Sequence, residues 1–256
     1  MIKNSIPFLL EVLTIVVATF FLVSCSDDDD PVVEVQNGVQ LSTIGSLGQV
    51  LVDGEGRTLY FFSKDVSGES ACVDGCLDSW PVYYEIDLNI PAGLSASGFD
   101  VITRADGTKQ TTYKGWPLYY FSGDAAAGDV NGEGVGGTWF VAKPDYTVML
   151  ANQDVDGEST TYLVHDLGRS LFFFANDEEN VSNCSGGCLD AWPVFDRDVP
   201  AVVPSTLNTG GFGQIDSNGG GKQLTYQGKP LYYFAQDVDR GEIAGNSIAN
   251  WSLASL

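Results

Sequence analysis

Positive charge is scarce in this chain: 12 Lys and Arg stand against 34 Asp and Glu, a net charge of −22 over 256 residues. A field of that sign repels phosphate backbones, which excludes nucleic acid as a partner, and repels anionic lipid head groups. Histidine is nearly missing, with His165 the only one. A single imidazole beside Asp166, in a hairpin turn and with no marked nucleophile, makes no catalytic triad. Leu77 and Leu189, not His, follow the second cysteine of each C-x3-C pair, so covalent haem attachment is excluded. No two of the many carboxylates are set apart by spacing, and paired-acid glycoside cleavage has no signature. Long apolar runs are lacking as well. The one candidate, Val12 to Val23, follows Glu11 and holds about a dozen residues where roughly 18 are needed to span a bilayer.

That short run, preceded by Lys3 and closed by "LVSC" (Leu22 to Cys25), reads as a lipoprotein signal peptide over residues 1–24 with acylation at Cys25; an uncleaved anchor is the alternative. Removing it takes away Lys3 and Glu11, one charge of each sign, so the mature chain keeps −22. A lipoprotein carries two or more acyl chains, enough for stable attachment where charge gives none. Residues 25–38 form an acidic tether. Within it "SDDDD" (Ser26 to Asp30) resembles the acidic export signal that sends lipoproteins to the outer face of the outer membrane; a solvated tether is the alternative. The expected location is the cell envelope, lipid-anchored to the outer membrane and facing outside.

Beyond the tether the chain is written twice. Laid on itself, it places "LVDGEGRTLYFFSKD" (Leu51 to Asp65) on "LVHDLGRSLFFFAND" (Leu163 to Asp177), Cys72 on Cys184, Trp80 on Trp192 and Trp139 on Trp251. "QTTYKGWPLYYFSGD" likewise falls on "QLTYQGKPLYYFAQD". The boundaries are a repeat domain over 39–146 and a second over 147–256. Each contains two aromatic runs, entered from a polar turn after an apolar stretch, which is the pattern of a β-hairpin with the run as its second strand. Pro117 and Pro230 open two of the runs, at a strand's first residue, where a missing N–H does little harm. The fold class is mainly β: two tandem duplicated β-rich domains built from hairpins, with a short helical or turn segment at each C-x3-C. Both faces of the runs are apolar, so all four are expected to be covered on both sides.

Comparison of the four runs separates what varies from what does not. The first aromatic is Tyr60, Tyr119, Phe172 and Tyr232, so one copy lacks the hydroxyl. The third is always Phe: Phe62, Phe121, Phe174 and Phe234. The carboxylate that closes the run is invariant: Asp65, Asp124, Asp177 and Asp237. An Asp just past a strand accepts backbone N–H bonds in the following turn or caps a short helix. A ligand role is the alternative.

These Tyr-x4-Asp spacings, joined to "CxxxCLDxWPV" and "YxGxPLYYF", resemble the secreted-repeat lipoprotein family defined by a Y-x(FWY)-x-x-D motif. The resemblance covers both repeats and implies a secreted or lipid-anchored envelope protein, with no established activity and no catalytic residues. Phe172 departs from the motif, as does "GEIAGNSIAN" where the first repeat has "GDVNGEGVGG".

Five cysteines divide into Cys25 and two identical C-x3-C pairs. In an oxidising compartment these read as local disulfides, Cys72 to Cys76 and Cys184 to Cys188, each worth about 2 kcal/mol because the loop is short. A redox role and a four-cysteine metal site remain as alternatives. In "DVNGEG" the residues Asp129, Asn131 and Glu133 alternate as in a calcium loop, but Phe140 stands where the bidentate Glu belongs. No cofactor is expected, no enzymatic activity, and no partner beyond the membrane reached through Cys25. The expected function is a lipid-anchored, non-catalytic binding or structural module. An extracytoplasmic redox or haem-associated protein using the C-x3-C pairs is the alternative.

Overall fold

The computed structural model describes residues 38–256. The signal peptide, Cys25 and tether residues 25–37 lie outside the described residues. The chain opens with an antiparallel hairpin of β1 (Val39–Ile44) and β2 (Gly48–Asp53), paired from Val39 opposite Asp53 to Ile44 opposite Gly48. A turn at 54–57 leads into β3 (Tyr60–Phe62), then into a disulfide loop and the one-turn helix α1 (Cys76–Ser79). A three-stranded sheet comes next, β4 (Phe99–Thr103), β5 (Lys109–Tyr113) and β6 (Trp116–Pro117), and β7 (Trp139–Val141) closes the repeat by pairing with β3. The second repeat runs through the same order: β8 (Val148–Val155), β9 (Glu158–His165), β10 (Phe172–Phe174), α2 (Gly187–Ala191), β11 (Phe212–Asp216), β12 (Lys222–Tyr226), β13 (Lys229–Pro230) and β14 (Trp251–Leu253). The tight hairpins turn on two residues at positive φ, Lys114–Gly115, Asp156–Gly157 and Gln227–Gly228, which suits the right-handed twist of the paired strands.

The aromatic runs are not simple second strands. Thr58 does lie opposite Val52, and Leu59 N–H donates to Leu51 C=O, as a hairpin requires. The run then leaves β2, and Tyr60–Phe62 pairs with β7 some eighty residues later. Its counterpart pairs with β5 at Pro117, and Leu118 N–H donates to Thr111 C=O, before Tyr119 bridges Tyr60 and Val82.

Those bridges give each repeat an internal pseudo-twofold. Tyr60 and Tyr119 exchange both backbone bonds, at 2.8 and 3.1 Å, as Phe172 and Tyr232 do at 2.9 and 3.1 Å. Around that centre the bonds recur in pairs: Ser63 N–H to Thr138 C=O matches Ser122 N–H to Ser79 C=O, and Ala142 N–H to Leu59 C=O matches Tyr83 N–H to Leu118 C=O. The indoles of Trp80 and Trp139 stack across it, centroids 3.7 Å apart, with Phe62 and Phe121 on the outer faces at 4.0 and 4.5 Å. Phe174, Trp251, Trp192 and Phe234 repeat the stack at 4.4, 3.6 and 4.5 Å. Each ring contact of this kind adds about 0.5–1.5 kcal/mol beyond its area. The two halves of a repeat thus build one core.

The described residues form one compact unit. One hydrophobic cluster draws on both repeats, with Phe61, Val66 and Trp116 from the first and Met149, Ala151, Tyr162 and Val164 from the second. Two positions where the repeats differ make the junction. Trp116, fully buried, donates its indole N–H to Asp166 C=O at 2.9 Å, where the second repeat has the exposed Lys229. Arg240 replaces Ala127, lies 4.7 Å over the Trp116 ring and donates to the carbonyls of Lys114 and Leu167. It fits because Gly68, Gly115 and Gly168 surround it; a Cβ on any of them would lie 2.8–3.4 Å from the guanidinium. Lys114 Nζ to Asp166, at 2.7 Å, completes the contact.

This asymmetry also corrects the expectation that all four runs are covered on both sides. Tyr60, Phe61 and Phe62 are buried, whereas Phe173 and Phe174 are half-buried. Phe61 has Trp116 and Tyr146 beside it; the face of Phe173 carries the Lys229 ammonium at 5.1 Å, Lys229 standing where the first repeat has Trp116.

Candidate functional site

The motif residues converge on the pseudo-twofold, where each run's tyrosine reaches the other run's aspartate. Tyr60 Oη donates to Asp124 Oδ2 at 2.6 Å, and Tyr119 Oη donates to Asp65 Oδ2 at 2.7 Å. In the second repeat Tyr232 donates to Asp177 Oδ2 at 2.8 Å. The remaining carboxylate oxygens accept backbone N–H groups from the loops after each run: Ala71 on Asp65, Asn131 on Asp124, Asn183 on Asp177 and Ala244 on Asp237. Each Asp therefore fastens its own turn, and three of the four also hold the sister run.

Phe172 is the informative exception. In the first repeat Gly132 N–H lies 3.3 Å from Tyr60 Oη; in the second, with no hydroxyl on Phe172, Gly245 N–H donates directly to Asp237 Oδ2 at 3.3 Å. Both glycines are required by the ring, since a Cβ there would come within 2.8–2.9 Å of it. A phenol at this position is thus exchangeable for a backbone donor.

Burial sets the electrostatics. It pushes Asp65 up to about 7, against the Tyr119 and Ala71 bonds and the nearby Arg104 and Arg240 charges that favour ionisation. Burial also raises Asp177 and Asp237 above the ordinary carboxylate range, and raises Tyr60, Tyr119 and Tyr232 well above a free phenol, Tyr60 through its Asp124 bond as well. These phenols remain protonated donors. Beyond Tyr119 the network continues inward: Ser70 Oγ lies 2.6 Å from Tyr119 Oη and accepts from the buried Arg104, whose Nη1 also donates to Gln110 at 2.7 Å.

The cysteine pairs are closed within their own repeats, Cys72 to Cys76 and Cys184 to Cys188, so the four-cysteine metal alternative falls. Each fixes the turn before the stacked Trp80 or Trp192, whose N–H donates to Cys76 or Cys188 C=O at 2.9 Å.

The calcium-loop candidates are engaged in separate bonds. Asp129 accepts from Ala125 and Ala126 N–H, Asn131 donates its side-chain amide to Gly123 C=O, and Glu133 accepts from Val141 N–H at 2.6 Å. In the second repeat the uncharged Asn246 accepts from Leu253 N–H in the place of Glu133, so this position serves as a hydrogen-bond acceptor whether or not it is charged. Among the described residues no group of three or more His, Cys, Asp or Glu is placed to hold a metal ion.

His165 stands where the first repeat has Asp53. Asp53 accepts the Arg57 N–H and Nε and the Tyr120 hydroxyl, each at 2.8–2.9 Å, with Arg57 over the Tyr120 ring. His165 Nδ1 accepts the Arg169 N–H at 3.1 Å, and Arg169 lies over Tyr233. Burial holds the imidazole down at about 4, so it is neutral and able to accept. The lone His is a turn acceptor, not a general base.

Sequence reasoning missed the Tyr-to-Asp exchange between runs, the Arg104 network and the Arg240 clamp. The sequence carried only part of the signal for the first: three of the four runs join a phenol to the closing carboxylate at a fixed spacing, which does not say that the bond crosses to the other run.

The chain belongs to the Lipoprotein_15 family, a secreted repeat of unknown function, whose model matches residues 42–83, 100–143 and 213–254. The family's unit is thus about half the duplicated length seen in the sequence, and the two matches in the first repeat are the halves related by its pseudo-twofold. The unmatched fourth half carries Phe172. No curated protein and no solved structure is significantly similar to the chain. No helix among the described residues is long and apolar enough to cross a membrane.

Proposed function

We propose that this protein is a lipid-anchored envelope lipoprotein, held at the outer membrane through Cys25 and facing outside, whose repeats serve as a non-catalytic binding or structural module. One observation carries the reading: the invariant side chains are spent inside the fold. Asp65, Asp124, Asp177 and Asp237 each accept two or more bonds from tyrosine or backbone donors, and the only imidazole accepts a turn N–H. A motif kept for architecture leaves specificity to the loops between the strands, which differ among the four halves. The acidic surface keeps such a module soluble and away from anionic lipid, leaving attachment to the acyl chains.

The test is Cys25→Ser with cell fractionation, alongside protease added to whole cells. The variant should stay uncleaved or leave the membrane fraction, and protease should digest the wild type in intact cells. Full protection would place the protein inside the envelope and overturn the outward-facing part of the reading; a Cys25→Ser protein processed and anchored normally would overturn the lipid anchor.

A further inference from the structure

The two disulfides are an internal comparison: the same spacing, Cα–Cα distances of 5.4 and 5.5 Å, the same one-turn helix and the same stacked Trp behind. Their surroundings differ in one buried cation, and in two exposed carboxylates, Asp74 and Asp106, where the second repeat has Gly186 and Gly219. In the first repeat Arg104, 6% exposed, donates Nη2 to Cys72 C=O at 2.7 Å and Nη1 to Ser70, placing a buried guanidinium at the backbone of the inner cysteine. In the second repeat Ser217 occupies the place of Arg104, and the neutral amide of Asn218 reaches the carbonyls of Ser182 and Cys184 at 2.5 and 3.2 Å. Exposure is ordered alike in both pairs: Cys72 and Cys184 are buried, while Cys76 and Cys188 are half-buried among exposed neighbours.

We propose that Cys72–Cys76 is a thiol-exchange site for low-molecular-weight thiols, with Cys76 the sulfur attacked and Cys72 the leaving thiolate held by Arg104, and that Cys184–Cys188 is the inert structural pair. An incoming thiolate reaches the more accessible Cys76 Sγ. The S–S bond to Cys72 breaks as the new S–S bond forms, and the electron pair leaves on Cys72 as a thiolate. A second thiolate attacks the mixed disulfide at the external sulfur, releasing Cys76 and an oxidised external disulfide; two electrons pass from two thiols to the protein. Exchange is faster and more favourable when the leaving thiolate is stabilised, and a neighbouring cation does that. The opposing charges are Asp74 in the loop itself, exposed and so screened by solvent, Asp106, 3.6 Å from Arg104 Nε at the rim, and Asp65, which burial brings up to about 7 and so leaves only partly ionised near neutral pH. The second repeat offers its cysteine no comparable cation, and Asp177 is less buried there than Asp65 is here.

The experiment titrates the full chain with dithiothreitol at pH 7, quenches with N-ethylmaleimide and quantifies each pair by peptide mass spectrometry. Cys72–Cys76 should open at about tenfold lower reductant than Cys184–Cys188, about 30 mV in potential. Glutathione trapped on the protein should be found on Cys76. Arg104→Gln should bring the first pair to the level of the second, Arg104→Lys should keep most of the difference, and Cys184–Cys188 should not change in either, which also reports that the fold is intact. Simultaneous opening of the two pairs in the wild type, reversal of their order, or glutathione on Cys72 would overturn the proposal. These wild-type outcomes decide it even if Arg104→Gln fails to fold.

Discussion

Tyr119→Phe removes one hydroxyl from the centre of the first repeat, and the structure sets what that should cost. The hydroxyl donates to Asp65 at 2.7 Å and meets Ser70 at 2.6 Å, and Asp65 is 0% exposed, so water cannot take its place. Asp65 keeps only the Ala71 N–H. Leaving a buried acceptor without its partner costs about 1–3 kcal/mol, and more as that acceptor takes up charge. The expected loss is about 2–3 kcal/mol, or about 4–12 °C in Tm for a folded unit of this size. Tyr60→Phe removes a bond of the same type, to Asp124, yet should cost only about 0.5–1 kcal/mol. Asp124 is half-buried, and Gly132 N–H, freed from Tyr60 Oη, corresponds to the Gly245 N–H that donates to Asp237 beside Phe172. Urea unfolding of a soluble chain beginning after Asp30, monitored by circular dichroism, measures both. Equal losses, or a larger loss for Tyr60→Phe, would refute the view that a backbone donor stands in for the phenol.

The reciprocal change, Phe172→Tyr, should restore the missing bond and raise Tm by about 2–4 °C, for a gain of about 1 kcal/mol; a lower Tm would show that the Gly245 contact leaves no room. Asp65 has a folded pKa of about 7 against an ordinary 3.8, so its contribution is fully present below pH 3.8 and is lost as pH rises through 7. Asp65→Asn should therefore cost more at pH 5 than at pH 8, and chemical denaturation at the two values checks this; a cost that grows with pH would contradict the buried carboxylate. We further expect a fragment over 39–146 to fold with a cooperative melt, because the Tyr60–Asp124 and Tyr119–Asp65 bonds and the stacked tryptophans lie within it. Its Trp116 should become exposed and its fluorescence red-shifted, and a fragment that is unfolded by circular dichroism would mean that the two repeats share one indispensable core.

The sequence alone determined the duplication, the β class, the pairing of cysteines and the places where turns fall. These obey local rules: apolar alternation makes strands, Asp-Gly and Lys-Gly make tight turns, and cysteines four residues apart in an exported chain close on each other. Comparison of the four runs also isolated the aspartates, because an invariant carboxylate among varying neighbours marks a fixed hydrogen-bonding task. What the local pattern could not carry was the partner. Tyr60 meets Asp124 and Tyr119 meets Asp65 across more than fifty residues, and that pairing exists only once the two runs lie antiparallel about the pseudo-twofold. The junction was equally hidden, since Trp116 and Arg240 read as two substitutions in separate copies until packing sets one over the other. Tertiary structure also decided the chemistry of His165 and Arg104, where burial and the nearest donor or carbonyl, rather than residue type, fix whether a side chain is a base, a charge or a turn acceptor.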